Sequence, residues 1–154
     1  IELELRKTLG FIAPAFDKFK ISTNLTFITS TMDVIEQSGL EPESRPFEGQ
    51  SPVLANLSLG YLNPDSKWDI QVSYNYTGER LAVVGLNSPD IYERGLSTLD
   101  AVISKKLGNV SLKFAANNLL NPNYTTSSEY LGQEYLTRQY KKGTSFVLSV
   151  AYEL

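Results

Sequence analysis

Apolar and polar side chains alternate one for one along most of this sequence, and a period of two residues is the period of a β-strand. Ile1, Leu3 and Leu5 oppose Glu2, Glu4 and Arg6. Over residues 18–34, Phe19, Ile21, Leu25 and Phe27 oppose Lys18, Lys20, Ser22, Asn24, Thr26 and Ser30. Over 52–62, Val53, Ala55, Leu57, Leu59 and Tyr61 oppose Asn56, Ser58 and Gly60. Over 67–84 the run begins with Trp68, Ile70, Val72, Tyr74 and Tyr76 against Asp69, Gln71, Ser73, Asn75 and Thr77. Residues 96–107, residues 109–120 and a last run through Phe146, Leu148, Val150, Tyr152 and Leu154 follow the same rule. Helical periodicity is nearly missing. The pattern predicts about seven antiparallel strands, most of them near or above the roughly 9–11 residues that cross a bilayer as tilted β-structure.

The connections alternate as well. Asn63-Pro64-Asp65-Ser66 and Leu107-Gly108-Asn109 are short, Gly10 to Asp17 is medium, and 35–50, 86–95 and 121–142 are long. Short turns on one side and long loops on the other are the pattern of an up-and-down outer-membrane barrel. Counted back from the C-terminus, every short turn falls on the side where the chain ends, which in this architecture is the periplasm. Phe11, Phe16, Phe19, Tyr61, Trp68 and Tyr152 lie near the short-turn ends, where amphipathic rings suit the lipid head-group level. Tyr74, Tyr76, Tyr92, Tyr124 and Tyr140 lie towards the long loops. The polar parity carries Glu2, Glu4, Arg6, Lys18, Lys20, Asp69, Asp100, Lys113 and Glu153. So many charges suit a wide barrel with a wet or plugged interior better than a narrow packed one. A soluble ligand-binding β-sandwich with one wet face shares the alternation, though its strands are usually shorter, about 5–6 residues.

Composition excludes several chemistries. The 154 residues contain neither Cys nor His. Disulfides, thiolate metal sites and cysteine nucleophiles are therefore out, as are histidine general bases and metal ligands. A net charge of −3 offers no basic face for nucleic acid. No apolar run approaches the roughly 20 residues of a membrane-spanning helix. No catalytic, cofactor-binding or metal-binding residues are expected, and no enzyme activity. Glu41, Glu43 and Glu48 lie together in a loop but match no calcium-loop spacing. Five Asn-x-Ser/Thr triplets, such as Asn56-Leu57-Ser58, follow from the alternation itself.

Four segments occur in order: Gly49-Gln50-Ser51-Pro52 followed by an apolar strand with Asn56; Tyr74-Asn75-Tyr76-Thr77-Gly78-Glu79-Arg80; Pro89-Asp90-Ile91-Tyr92-Glu93 followed by Leu99-Asp100; and Asn117-Asn118-Leu119-Leu120-Asn121-Pro122-Asn123-Tyr124. Together with the final strand this set, over residues 49–154, resembles the C-terminal barrel of TonB-dependent receptors; residues 1–48 are compatible with it. The resemblance implies a barrel of about 22 strands, with an N-terminal plug and upstream strands outside this chain. It also implies residence in the outer-membrane lipid, barrel assembly machinery reading the last strand, and coupling to the TonB energy-transducing complex. The implied function is active uptake of a large scarce nutrient (siderophore, cobalamin, oligosaccharide or peptide). Receptors of this family tend to end in an aromatic residue, whereas Leu154 stands last here. A passive porin or an adhesin built on another outer-membrane barrel is the alternative. Loops on a rigid scaffold commonly carry recognition, and Arg45, Tyr92, Arg94, Tyr135 and Arg138 are the candidate ligand contacts in the long loops.

Overall fold

The computed structural model describes residues 1–34, 43–85 and 88–153, with the side chains of Val34 and Glu43 excepted. Seven strands form the principal sheet: β1 (Glu2–Thr8), β2 (Phe19–Phe27), β5 (Val53–Asn63), β6 (Trp68–Thr77), β9 (Leu96–Leu107), β10 (Val110–Asn117) and β13 (Ser145–Tyr152). Their spatial order is β1-β2-β5-β6-β9-β10-β13, so each strand pairs antiparallel with the next of the set in chain order. This is the up-and-down topology of a barrel wall. The remaining strands all lie in the long connections: β3 (Met32–Val34) pairs with β4 (Glu43–Arg45), and β7 (Arg80–Val83), β8 (Ile91–Glu93), β11 (Tyr124–Tyr130) and β12 (Gln133–Tyr140) form a second sheet in the order β12-β11-β8-β7.

The register sorts the side chains onto two faces. One row runs Ile21, Leu59, Val72, Ala101, Ala116, Phe146 across five strand pairings, and the row beside it runs Phe19, Tyr61, Ile70, Ile103, Phe114, Leu148. The opposite face carries Glu4, Asn24, Asn56, Asn75, Thr98 and Arg6, Ser22, Ser58, Ser73, Asp100. On that face Gln71 donates to Ser58 (3.1 Å) and to Ser73 (3.2 Å), and Asn75 donates to Thr98 (3.4 Å).

Almost nothing covers the apolar face. Among the described residues only Leu81 and Ala116 are buried hydrophobics, while Leu57, Val72, Phe114, Leu148 and Val150 are exposed. A soluble sandwich of this length would bury its apolar rows under a second sheet. Here the second sheet sits at the strand ends instead, so the apolar rows suit hydrocarbon. At about 25 cal/mol per Å2 of apolar surface, leaving such rows in water would be strongly unfavourable. Among the described residues the principal sheet is open, with one edge of β1 and one edge of β13 unpaired. Unpaired backbone groups are not tolerated in lipid, so both edges need partner strands from further barrel wall.

The short turns are built from local chemistry. Asn63 Oδ1 accepts from the Asp65 and Ser66 amides (3.1 and 3.2 Å), closing the β5–β6 turn. Gly108, at φ +62°, takes the first central position of the two-residue β9–β10 turn, where a left-handed residue matches strand twist. The β1–β2 connection contains two 3-10 turns, Leu9–Phe11 and Pro14–Phe16. At this end Phe16, Phe19 and Tyr61 form an aromatic cluster (6.0 and 4.9 Å between ring centres), and the Lys105 ammonium sits 4.4 Å from the Trp68 ring centre.

Two runs end earlier than the alternation predicts. Within 18–34 the wall strand stops at Phe27, and Met32–Val34 belongs to β3. Within 67–84 the wall strand stops at Thr77, and Arg80–Val83 joins the second sheet as β7. The break falls at Gly78, whose amide donates to the Val53 carbonyl (2.8 Å). The loops 86–95 and 121–142 are also more ordered than expected, since β8, β11 and β12 lie in them. Half of the 35–50 loop, with Glu41, lies outside the described residues, as do Leu154 and two residues of the 86–95 loop.

Candidate functional site

The long-loop rim is where the ordered motifs meet. Ser51 is buried, and its hydroxyl lies 2.9 Å from both the Val53 and Gly78 carbonyl oxygens. A Cβ on Gly78 would meet Ser51 Oγ and the Val53 carbonyl at 3.2 Å each, so the absence of a side chain lets these strands close up. The Gly49 amide donates to the Leu81 carbonyl (2.7 Å), and Arg80 reaches the Gly49 carbonyl (3.4 Å). Arg80 also grips the Glu93 carboxylate through Nε (2.8 Å) and Nη2 (2.6 Å). Further along, the Asn118 amide donates to Asp100 (2.8 Å), and its side chain donates to the Gly143 carbonyl (2.7 Å). The motifs thus tie the first two long connections together and anchor the third to the wall.

Arg45 completes this layer from beneath. Its guanidinium is buried and donates to Asp90 (3.0 Å) and to the Gly85 carbonyl (3.1 Å). Asp90 in turn accepts from the Gly85 amide (2.8 Å). A buried charge is tolerable only when paired and hydrogen-bonded in this way. Arg45 therefore joins the β3–β4 connection to the β7–β8 connection.

On the polar side of the rim a cavity of about 410 Å3 opens above Thr77 and Leu96, a register pair of β6 and β9. Arg80, Glu93, Arg94, Tyr124, Tyr140 and Lys142 line it. Register pairing sets Tyr124 opposite Tyr140, with rings stacked at 5.2 Å and 20°. Lys142 Nζ lies 4.0 Å from the Tyr124 ring centre, and Arg138 Cζ lies 4.8 Å from that of Tyr140. Arg94 pairs with Glu79 (3.2 Å) and with Glu134. The hydrogen bond from Arg94, supported by Ser127, holds the Glu134 carboxyl below the usual carboxylate range. Reciprocally, Glu134 pushes the Arg94 guanidinium up. Volume and lining suit binding of a small polar group; they supply no nucleophile and base in contact. Among the described residues no cluster of acidic side chains is placed to hold a metal ion.

The five candidate contacts from the sequence take up different places. Arg94 lines the rim cavity, and Arg138 stands beside it on Tyr140. Tyr92 lines a separate cavity of about 520 Å3 with Ile28, Pro52, Tyr76 and Leu81. Tyr135 is exposed further along β12, donating to Gln133 (3.1 Å). Arg45 is enclosed within the loop layer. Arg80, Glu93, Tyr124, Tyr140 and Lys142 were not among the candidates. Arg80, Glu93 and Tyr124 lay inside the motif stretches, which was a usable signal; nothing in the sequence marks Lys142.

No helix among the described residues is long and apolar enough to cross a membrane. A search of curated proteins returned no match. Among solved structures, the crystal structure of the ferric citrate transporter FecA in its unliganded form is similar to this chain, with a TM-score of 0.65 at 13% identity. That match covers 97% of this chain and 23% of FecA, so the chain spans about a quarter of the length of that protein. The likeness is one of fold: a segment of a larger antiparallel barrel. The model of the outer membrane protein β-barrel family matches residues 6–152. With a sheet whose apolar rows lie bare and whose polar rows face the other way, this chain belongs to the outer membrane protein β-barrel family.

Proposed function

We propose that this chain is the C-terminal wall of a TonB-dependent receptor, and that the whole protein actively takes up a large scarce nutrient across the outer membrane. The observation that carries the reading is the convergence of the four ordered motifs on one rim. They tie the first two long connections together and anchor the third to the wall, and β8 pairs with β11 to close the layer around a cavity that opens on the polar side of the wall. A passive pore has no evident need for so tightly tied a rim; a receptor that must present a fixed binding surface does.

In this reading the long loops face the outside, and the short turns and C-terminus face the periplasm. The apolar rows contact lipid, and the polar rows line a wet lumen around a plug. Barrel assembly machinery reads β13, and the TonB complex acts through the N-terminal region. The chain itself contains and recognises, and it performs no covalent chemistry. The test uses the full-length protein in cells with and without TonB, scored for growth on limiting siderophore, cobalamin, oligosaccharide or peptide. TonB-dependent growth on one of them is expected. Uptake that proceeds equally without TonB, with steady ion conductance in planar bilayers, would identify a passive pore instead.

A further inference from the structure

We infer, on the basis of the receptor reading above, that the rim cavity takes an anionic, oxygen-rich ligand group such as a phosphate or carboxylate rather than a neutral sugar. Lys142, in the cavity lining, is the residue that recognises it.

The aromatic pair argues against a sugar platform. A pyranose docks by laying an apolar face on an open aromatic ring. Tyr124 and Tyr140 are already stacked on one another at 5.2 Å. Each ring also carries a cation, Lys142 at 4.0 Å and Arg138 at 4.8 Å. What remains on offer is the hydroxyl edge of each ring and the outward N–H groups of the two cations.

The charge balance argues for an anion. Arg80 is taken up by Glu93, and Arg94 by Glu79 and Glu134. Lys142 and Arg138 pair with no carboxylate among the described residues. These two cations stand without a carboxylate partner in a chain whose net charge is −3. An ammonium with three donors and a guanidinium with a planar fork suit phosphate or carboxylate oxygens. The positions are also held in advance. Gly143, next to Lys142, is fixed by its amide to Asn121 (3.1 Å) and by its carbonyl to Asn118 (2.7 Å). Arg138 lies on β12, opposite Thr126 of β11. Holding donors in place before binding lowers the entropic cost of capture.

The experiment is calorimetry on the full-length protein in lipid nanodiscs, with inorganic pyrophosphate and neutral maltotriose as probes. Pyrophosphate is expected to bind saturably and more weakly as salt rises. K142Q should weaken it about tenfold or more, the loss of one charge-assisted contact; R138Q, outside the cavity lining, should weaken it less. K141Q removes the same charge from a neighbour without a ring contact and should leave binding unchanged. K142R keeps the charge and should retain binding, which separates recognition from misfolding. No saturable pyrophosphate binding, binding unaltered in the K142Q/R138Q double variant, or maltotriose binding in preference would each overturn the assignment. TonB-independent uptake with anion binding intact would sink the receptor reading alone; TonB-dependent uptake of a neutral solute without anion binding would sink this inference alone.

Discussion

Replacing Asp90 with alanine should loosen the outer layer while leaving the wall intact. The Arg45–Asp90 pair is nearly enclosed, with side chains 10% and 13% exposed. Removing one partner of a buried pair costs about 3–5 kcal/mol. Asp90→Ala also strips the Gly85 amide of its acceptor, adding about 1 kcal/mol. The partners described for this pair, Gly85 among them, lie in the loop layer, so the loss falls on opening of that layer. At about 1.4 kcal/mol per tenfold change, exchange of layer amides should speed up by about a hundredfold or more. The reporter is the Gly49 amide, which bridges to the Leu81 carbonyl in the same layer (2.7 Å). The control is the Glu153 amide, bonded to the Asn109 carbonyl at the far end (2.9 Å). Hydrogen exchange with mass spectrometry on the full-length protein reads both. The double variant Arg45→Met/Asp90→Leu should lose less than Asp90→Ala, because both charges are removed together. A Gly49 exchange rate within threefold of the parent in well-folded Asp90→Ala, by the order-of-magnitude reasoning above, would refute the claim that this pair holds the layer together.

Val72→Arg, in the middle of an apolar row, should lower folding stability in vesicles by about 2–4 kcal/mol, whereas Ser73→Arg on the opposite face should cost far less; denaturant titration checks the pair, and equal losses would contradict the facing. Ser51→Ala should destabilise the rim by about 1 kcal/mol through loss of the one hydroxyl proton shared by the Val53 and Gly78 carbonyls, read as faster exchange at the Gly78 amide. The Glu134 carboxyl titrates lower in the folded protein than its ordinary value of 4.5, because Arg94 and then Ser127 donate to it. Its contribution is therefore complete above pH 4.5 and disappears as pH falls through the lowered value; spin labels on β12 should gain mobility on acidification, and Glu134→Gln should remove that pH step.

The wall was readable because one face of each strand is apolar. Ile21, Leu59, Val72 and Ala101 fall on one parity in four separate runs, and the register aligns them in one row. The loop strands gave no such signal. Tyr124–Tyr130 and Gln133–Tyr140 carry polar residues on both parities, because neither face meets lipid or a core. The rim contacts were hidden for a different reason. Arg45 and Asp90 stand 45 residues apart, and Arg80 and Glu93 meet only because β7 pairs with β8. Sequence spacing records neither distance. The motif stretches meet at the long-loop rim, yet most of their polar groups serve to tie loops rather than to reach outward. Arg45 illustrates this: its residue type suggested recognition, and its surroundings enclose it.

The sharing of buried partners between the first two long connections bears on how such a surface can diversify. A segment carrying Arg45 and Ser51 that was transplanted alone into another scaffold would abandon Asp90 and the Gly78 carbonyl in their enclosed positions. Exchange of one connection at a time is thus penalised at both donor and recipient. Chimeras between relatives should tolerate replacement of the whole crown as a cassette, with seams placed in the wall strands below, where the ladder bonds run backbone to backbone and a side-chain bond such as Gln71 to Ser58 is exposed.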